Sequence, residues 1–121
     1  MQSNQERKIL LGFGTKNTYF CISQIKKNTI MIRLNVFISV EDVNRAKVLD
    51  AAKELTAASV KEDGCIAYDI YESATRGNVL LICETWKDCE SLSSHETTAA
   101  FIKNIAVLKE LTAIKVEKFE F

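Results

Sequence analysis

Residues 31–40, MIRLNVFISV, put Ile32, Leu34, Val36 and Ile38 on one side of an extended chain and Arg33, Asn35, Phe37 and Ser39 on the other. A period of two is strand geometry, and it predicts a β-strand with two unlike faces. Glu41-Asp42 breaks the alternation with acids suited to the first turn of a helix. Residues 42–61 switch to helical spacing, with Leu49, Ala52, Leu55 and Val60 as the apolar stripe. Lys61-Glu62-Asp63-Gly64 reads as a turn, because glycine tolerates the positive φ that ends a helix. CIAYDIYE at 65–72 and NVLLICETW at 78–86 read as two further strands across a polar connection. Asp88 is placed to cap a short helix through Ser93. Thr97 or Thr98 is placed to cap a longer helix to about Glu110, with Phe101, Ile102, Ile105 and Leu108 on its apolar side. AIKVEKFEF at 113–121 is the last strand.

The order over residues 31–121 is therefore β-α-β-β-α-β. It predicts an α+β, ferredoxin-like fold, an antiparallel sheet with both helices on one face. Strand 78–86 is nevertheless apolar on both sides, with Val79, Leu81 and Cys83 against Leu80, Ile82 and Trp86. A strand of that kind is covered on both faces. An uncovered face would be a sticky patch, and packing two sheets face to face in a symmetric homodimer hides it.

Apolar residues at 47% and charged residues at 26% fit a globular chain and exclude a disordered one. The 121 residues suffice for one core. Acids and bases balance at 16 each, so net charge gives no footprint for nucleic acid or an anionic membrane surface. No apolar run reaches the ~20 residues of a membrane span. The imbalance is local: residues 1–30 hold Arg7, Lys8, Lys16, Lys26 and Lys27 against Glu6 alone. This stretch reads as an N-terminal extension to a domain at 31–121. It lacks the apolar core of a secretory signal, since Gly12, Gly14 and Lys16 interrupt Ile9-Leu10-Leu11. Its basic, acid-poor character also fits a mitochondrial-type presequence. Tyr19-Phe20-Cys21-Ile22 has the composition of a short extra strand. Cys21, Cys65, Cys83 and Cys89 form no C-x-x-C, and one histidine cannot complete a useful zinc set. Free thiols in a reducing, cytoplasmic setting are expected, with a cross-strand Cys65–Cys83 bridge the lesser reading. No glycine-rich phosphate loop and no G-x-S-x-G elbow occurs. No cofactor and no metal is expected on this pattern.

EDGCIAYDIYES, followed by NVLLICETWKDCESLSSHETTAAFIKNI, resembles the antibiotic biosynthesis monooxygenase family of dimeric α/β barrels. The likeness lies in the acidic-glycine turn with Tyr68 beyond it, Glu84-x-Trp86 at a strand end, and His95 followed by Thr97-Thr98 and Phe101. It implies a cofactor-free oxygenase acting on a small aromatic substrate, a quinol or anthrone, with molecular oxygen. The family also contains isomerases of a phosphorylated sugar derivative and haem-degrading enzymes. The haem-degrading pattern sets its Trp and His on the second helix, whereas here Trp86 is on a strand and His95 precedes the long helix. A phosphate site would draw on Arg33 or Arg76.

Two readings fit each candidate residue. His95 is a base or donor beside a pocket, or a cap at a helix junction. Trp86 is a pocket wall for a flat ring, or a core tryptophan. Glu84, a carboxylate in an apolar strand, must be paired or protonated, and either fixes the fold or orients His95. Asn35 resembles the family's first-strand Asn, which implies a hydrogen bond to the substrate anion. Tyr68 and Tyr71 point to opposite faces, and the resemblance puts Tyr68 at the pocket; Phe37 is expected to pack against the substrate with Trp86. Rival readings are a cofactor-free isomerase of a small polar metabolite, a non-catalytic stress-response binding module and a haem-binding protein.

Overall fold

The computed structural model describes residues 30–121 and the backbone of the strand Glu6–Leu10. The elements in chain order are β1 (Glu6–Leu10), β2 (Ile32–Val40), α1 (Asp42–Ser59), β3 (Cys65–Glu72), β4 (Val79–Trp86), α2 (Cys89–His95), α3 (Ala99–Leu111) and β5 (Thr112–Glu120). The sheet order is β1-β5-β2-β4-β3, with antiparallel neighbours throughout. From β2 onward this is the expected ferredoxin-like arrangement, its second helical unit divided into α2 and α3. Tyr19–Ile22 lies outside the described residues; the additional strand described is β1, paired along β5 from Glu6↔Glu120 to Leu10↔Val116.

Alternation along β2 decides which side is core. Ile32, Leu34, Val36, Ile38 and Val40 are buried beneath the helices together with Leu80, Ile82 and Trp86 of β4. Arg33, Asn35, Phe37 and Ser39 point the other way, onto the open sheet face. There Arg33 Nε donates to Thr85 Oγ1 at 2.8 Å, and Lys115 sits over the Phe37 ring. Val79, Leu81 and Cys83 are only half-buried on that face.

Helix α1 buries Val48, Ala51, Ala52, Leu55 and Ser59. The stripe is rotated from the expected one: Leu49 lies at its margin, and Val60, still helical in backbone, turns away from the side that buries Leu55 and Ser59. Ser59 Oγ donates back to the Leu55 carbonyl at 2.7 Å, satisfying an end-of-helix acceptor. Asp88 caps α2 by accepting from the Ser91 amide at 2.8 Å. Thr98 caps α3 by accepting from the Phe101 amide at 3.1 Å. Phe101, Ile105 and Leu108 of α3 face the core, while Ile102 turns outward, one residue out of phase with them.

Cys65 and Cys83 are free thiols. They cannot bridge, because Cys65 lies opposite Trp86 on the helix side while Cys83 lies opposite Asn35 on the open side. Cys89 departs from the expected free thiol: it is disulfide-bonded. No helix among the described residues is long and apolar enough to cross a membrane.

The turn between α1 and β3 depends on Gly64, at φ 91°. A Cβ there would also run into the Ser91 side chain. Gly64→Ala should cost about 2–3 kcal/mol in urea unfolding. Gly77→Ala, where a Cβ meets nothing within 4 Å, should fall within about 0.5 kcal/mol of the parent. Equal stability of the two variants would refute this role for Gly64.

Candidate active site

Four elements converge on one ring. The tight turn at Gly64 brings the start of α2 against it, with the Lys87 amide donating to the Gly64 carbonyl at 2.9 Å. That contact fixes α2 so that its last residue, His95, lies beneath the helices at 1% exposure. The His95 ring meets Trp86 at 4.6 Å between centroids, Phe101 edge-on at 5.0 Å and Tyr68 at 5.7 Å. Trp86 and Tyr68 meet edge to face at 6.4 Å. Trp86 and Tyr68 are brought to the helix side by strand alternation. Phe101 is brought in by the first turn of α3, whose cap residue Thr98 also donates to the His95 carbonyl at 2.9 Å.

His95 Nδ1 is 3.1 Å from both carboxylate oxygens of Glu62, on the α1–β3 turn. Nε2 is buried with no hydrogen-bond partner among the described residues. Burial lowers the His95 pKa and Glu62 only partly restores it, so burial favours the neutral imidazole. Glu84, two residues before Trp86 on the same strand face, accepts the indole N–H at 2.7 Å. Burial pushes Glu84 up to about 8, against that hydrogen bond and with help from the nearby charges of Glu96 and Glu62. Burial raises Glu96 to about 7, with the Lys118 charge opposing. Tyr68 is raised well above its ordinary value by burial and by Glu84. Lys118, itself buried, pairs with Glu120 at 3.3 Å.

The fold thus gathers His95, Trp86, Tyr68 and Glu84 into one cluster. It does not bring Asn35 or Phe37 to it: both project from the opposite face of β2, Asn35 opposite Cys83 and Glu117, Phe37 opposite Leu81 and Lys115. Tyr71 is on that face too and is exposed. The residue that touches His95 is Glu62, not Glu84. Its sequence signal is slight, an acid in a polar turn 33 residues from its partner. Among the described residues no group of three or more His, Cys, Asp and Glu is placed to hold a metal. An open cleft of about 690 Å³ between Glu41 and Glu110, and another of about 340 Å³ between Asp63 and Ser94, are lined by neither His95 nor Trp86.

A family model described as antibiotic biosynthesis monooxygenase matches residues 31–106. The chain is 32% identical over 87 residues to YcnE of Bacillus subtilis (strain 168), whose name carries a provisional monooxygenase assignment; the match covers 72% of this chain and 92% of YcnE. It is 56% identical to a conserved protein of unknown function from Bacteroides thetaiotaomicron VPI-5482, described as a possible oxidoreductase. Its TM-score is 0.75, over 77% of this chain and 99% of that one. SnoaB from Streptomyces nogalater, a cofactor-independent oxygenase, shares the fold at TM-score 0.66 and 12% identity over 74% of this chain and 90% of SnoaB.

Glu84 makes stability depend on pH with a definite sign. Its folded pKa of about 8 stands above the ordinary 4.5, so its contribution is complete below about 4.5 and is lost as pH rises toward 8. Between pH 5 and pH 8 the parent should lose up to about 4 kcal/mol through this group in urea unfolding. Glu84→Gln, which keeps an acceptor for Trp86 and cannot ionise, should lose much less. Parallel pH profiles for the two proteins would refute a protonated Glu84.

Proposed function

The chain belongs to the antibiotic biosynthesis monooxygenase family, and we propose that it is a cofactor-independent monooxygenase that oxidises an electron-rich aromatic substrate, a quinol or anthrone, with molecular oxygen. The supporting observation is the His95 ring, buried against Trp86 and Phe101 with Nε2 unpartnered. A buried polar atom without a partner costs about 1–3 kcal/mol, a cost that a ligand's O–H would remove.

In this reading His95 Nε2 takes a proton from the substrate. The electron-rich anion then passes an electron to oxygen and combines with the reduced oxygen at carbon. The peroxide anion takes the proton back from His95, and the hydroperoxide then loses water with the hydrogen on its carbon, leaving one oxygen atom as a carbonyl. The protein supplies the base, flat walls for the ring and a site poor in water. Trp86, Tyr68 and Phe101 are the walls, Phe101 taking the place expected for Phe37. Protonated Glu84, on Trp86, and the Tyr68 hydroxyl would be the donors to the anion, in the role expected for Asn35.

Asn35 and Phe37 belong instead to the half-apolar sheet face, which a second copy of the chain would cover in a homodimer. A phosphorylated substrate for an isomerase finds no support in the cage. Arg33 is bonded to Thr85 on the far face, Arg76 lies in the β3–β4 connection, and the groups facing His95 include the carboxylate of Glu62.

Oxygen uptake with a panel of hydroquinones and anthrones, without added cofactor, tests this reading. The purified protein should exceed uncatalysed autoxidation, and His95→Ala should lose about 100-fold or more while keeping its sedimentation behaviour. Uptake no faster than buffer across the panel, or full activity in His95→Ala, would overturn it.

A further inference from the structure

We propose that Glu62 is a positioning residue: it holds neutral His95 as the Nδ1–H tautomer and thereby leaves the lone pair on the buried, unpartnered Nε2. The two oxygens of Glu62 are equidistant from Nδ1 at 3.1 Å, so the contact is a centred one. A carboxylate only accepts hydrogen bonds, so Nδ1 must carry the proton. The other tautomer is disfavoured twice. Its Nδ1 lone pair would face two carboxylate oxygens, and its Nε2–H would be buried with no acceptor among the described residues. Which ring nitrogen is protonated is set by the bond that the other one makes.

The acid is itself held in place. The Glu62 amide donates to the Ser59 carbonyl at 3.0 Å, and its carbonyl accepts from the Cys65 amide at 3.1 Å. The imidazole has little room to turn, with Trp86, Phe101 and Tyr68 packed around it. Catalytic use of the Nε2 lone pair rests on the oxygenase reading. The tautomer does not, and it is measured without any substrate.

His95 is the only histidine in the chain, so tag-free protein labelled with ¹⁵N gives one imidazole to assign. At neutral pH, long-range ¹H–¹⁵N correlation should show a protonated, pyrrole-like Nδ1 and an unprotonated, pyridine-like Nε2. Glu62→Ala should move both resonances toward the Nε2–H tautomer. A parent protein with protonated Nε2, or a folded Glu62→Ala protein with unchanged tautomer, would overturn the proposal. If Glu62→Ala does not fold, the parent spectrum alone decides. A correct tautomer in a protein that consumes no oxygen would leave Glu62 as assigned and remove only the oxygenase reading.

Discussion

A carboxylate on a turn reaches a buried imidazole, and the rings of Trp86, Tyr68 and Phe101 pack around that same imidazole. The turn can carry Glu62 to His95 only because Gly64 takes a left-handed backbone and leaves room for Ser91. The end of α2 sets where α3 begins, through the hydrogen bond from Thr98 to the His95 carbonyl. Phe101 then falls edge-on against the ring that Trp86 also packs on. Backbone geometry at one glycine, helix capping and ring packing are thus one continuous arrangement.

The same region buries several polar groups, which a hydrophobic core ordinarily excludes. Each is accommodated by a different means. Glu84 accepts the Trp86 N–H, and burial keeps it largely protonated near neutral pH. Lys118 is paired with Glu120. His95 is held through Nδ1, which leaves Nε2 buried without a hydrogen-bond partner among the described residues. The sheet divides the chain's work: the helix side carries this polar cluster, and the open side carries the mixed surface of Asn35, Phe37, Leu81 and Tyr71.

Local chemistry made the architecture legible. The alternation in 31–40, the caps at Asp88 and Thr98 and the glycine at 64 each act within a few residues, so the strand and helix bounds could be read closely. Helical phase was less legible. Val48 and Ala51, not Val60, complete the buried stripe of α1, because phase depends on where the helix meets the sheet. Trp86, Tyr68, Glu84 and His95 were recognisable as one group through strand parity and resemblance. Asn35 and Phe37 share the parity opposite the Ile32–Ile38 stripe, so the alternation itself sets them on the face away from the helices, against the expectation that they reach the pocket. Glu62 was hidden because its partner is distant in sequence and its turn looks like any solvated connection.

The fold buries a neutral imidazole among the rings of Trp86, Phe101 and Tyr68. Titrating His95 by NMR in the native protein tests it most directly. Burial outweighs the pull of Glu62, so the midpoint should lie below the ordinary value of about 6.5. A midpoint at or above 6.5 would mean that the ring is solvated or charged, and would contradict the account.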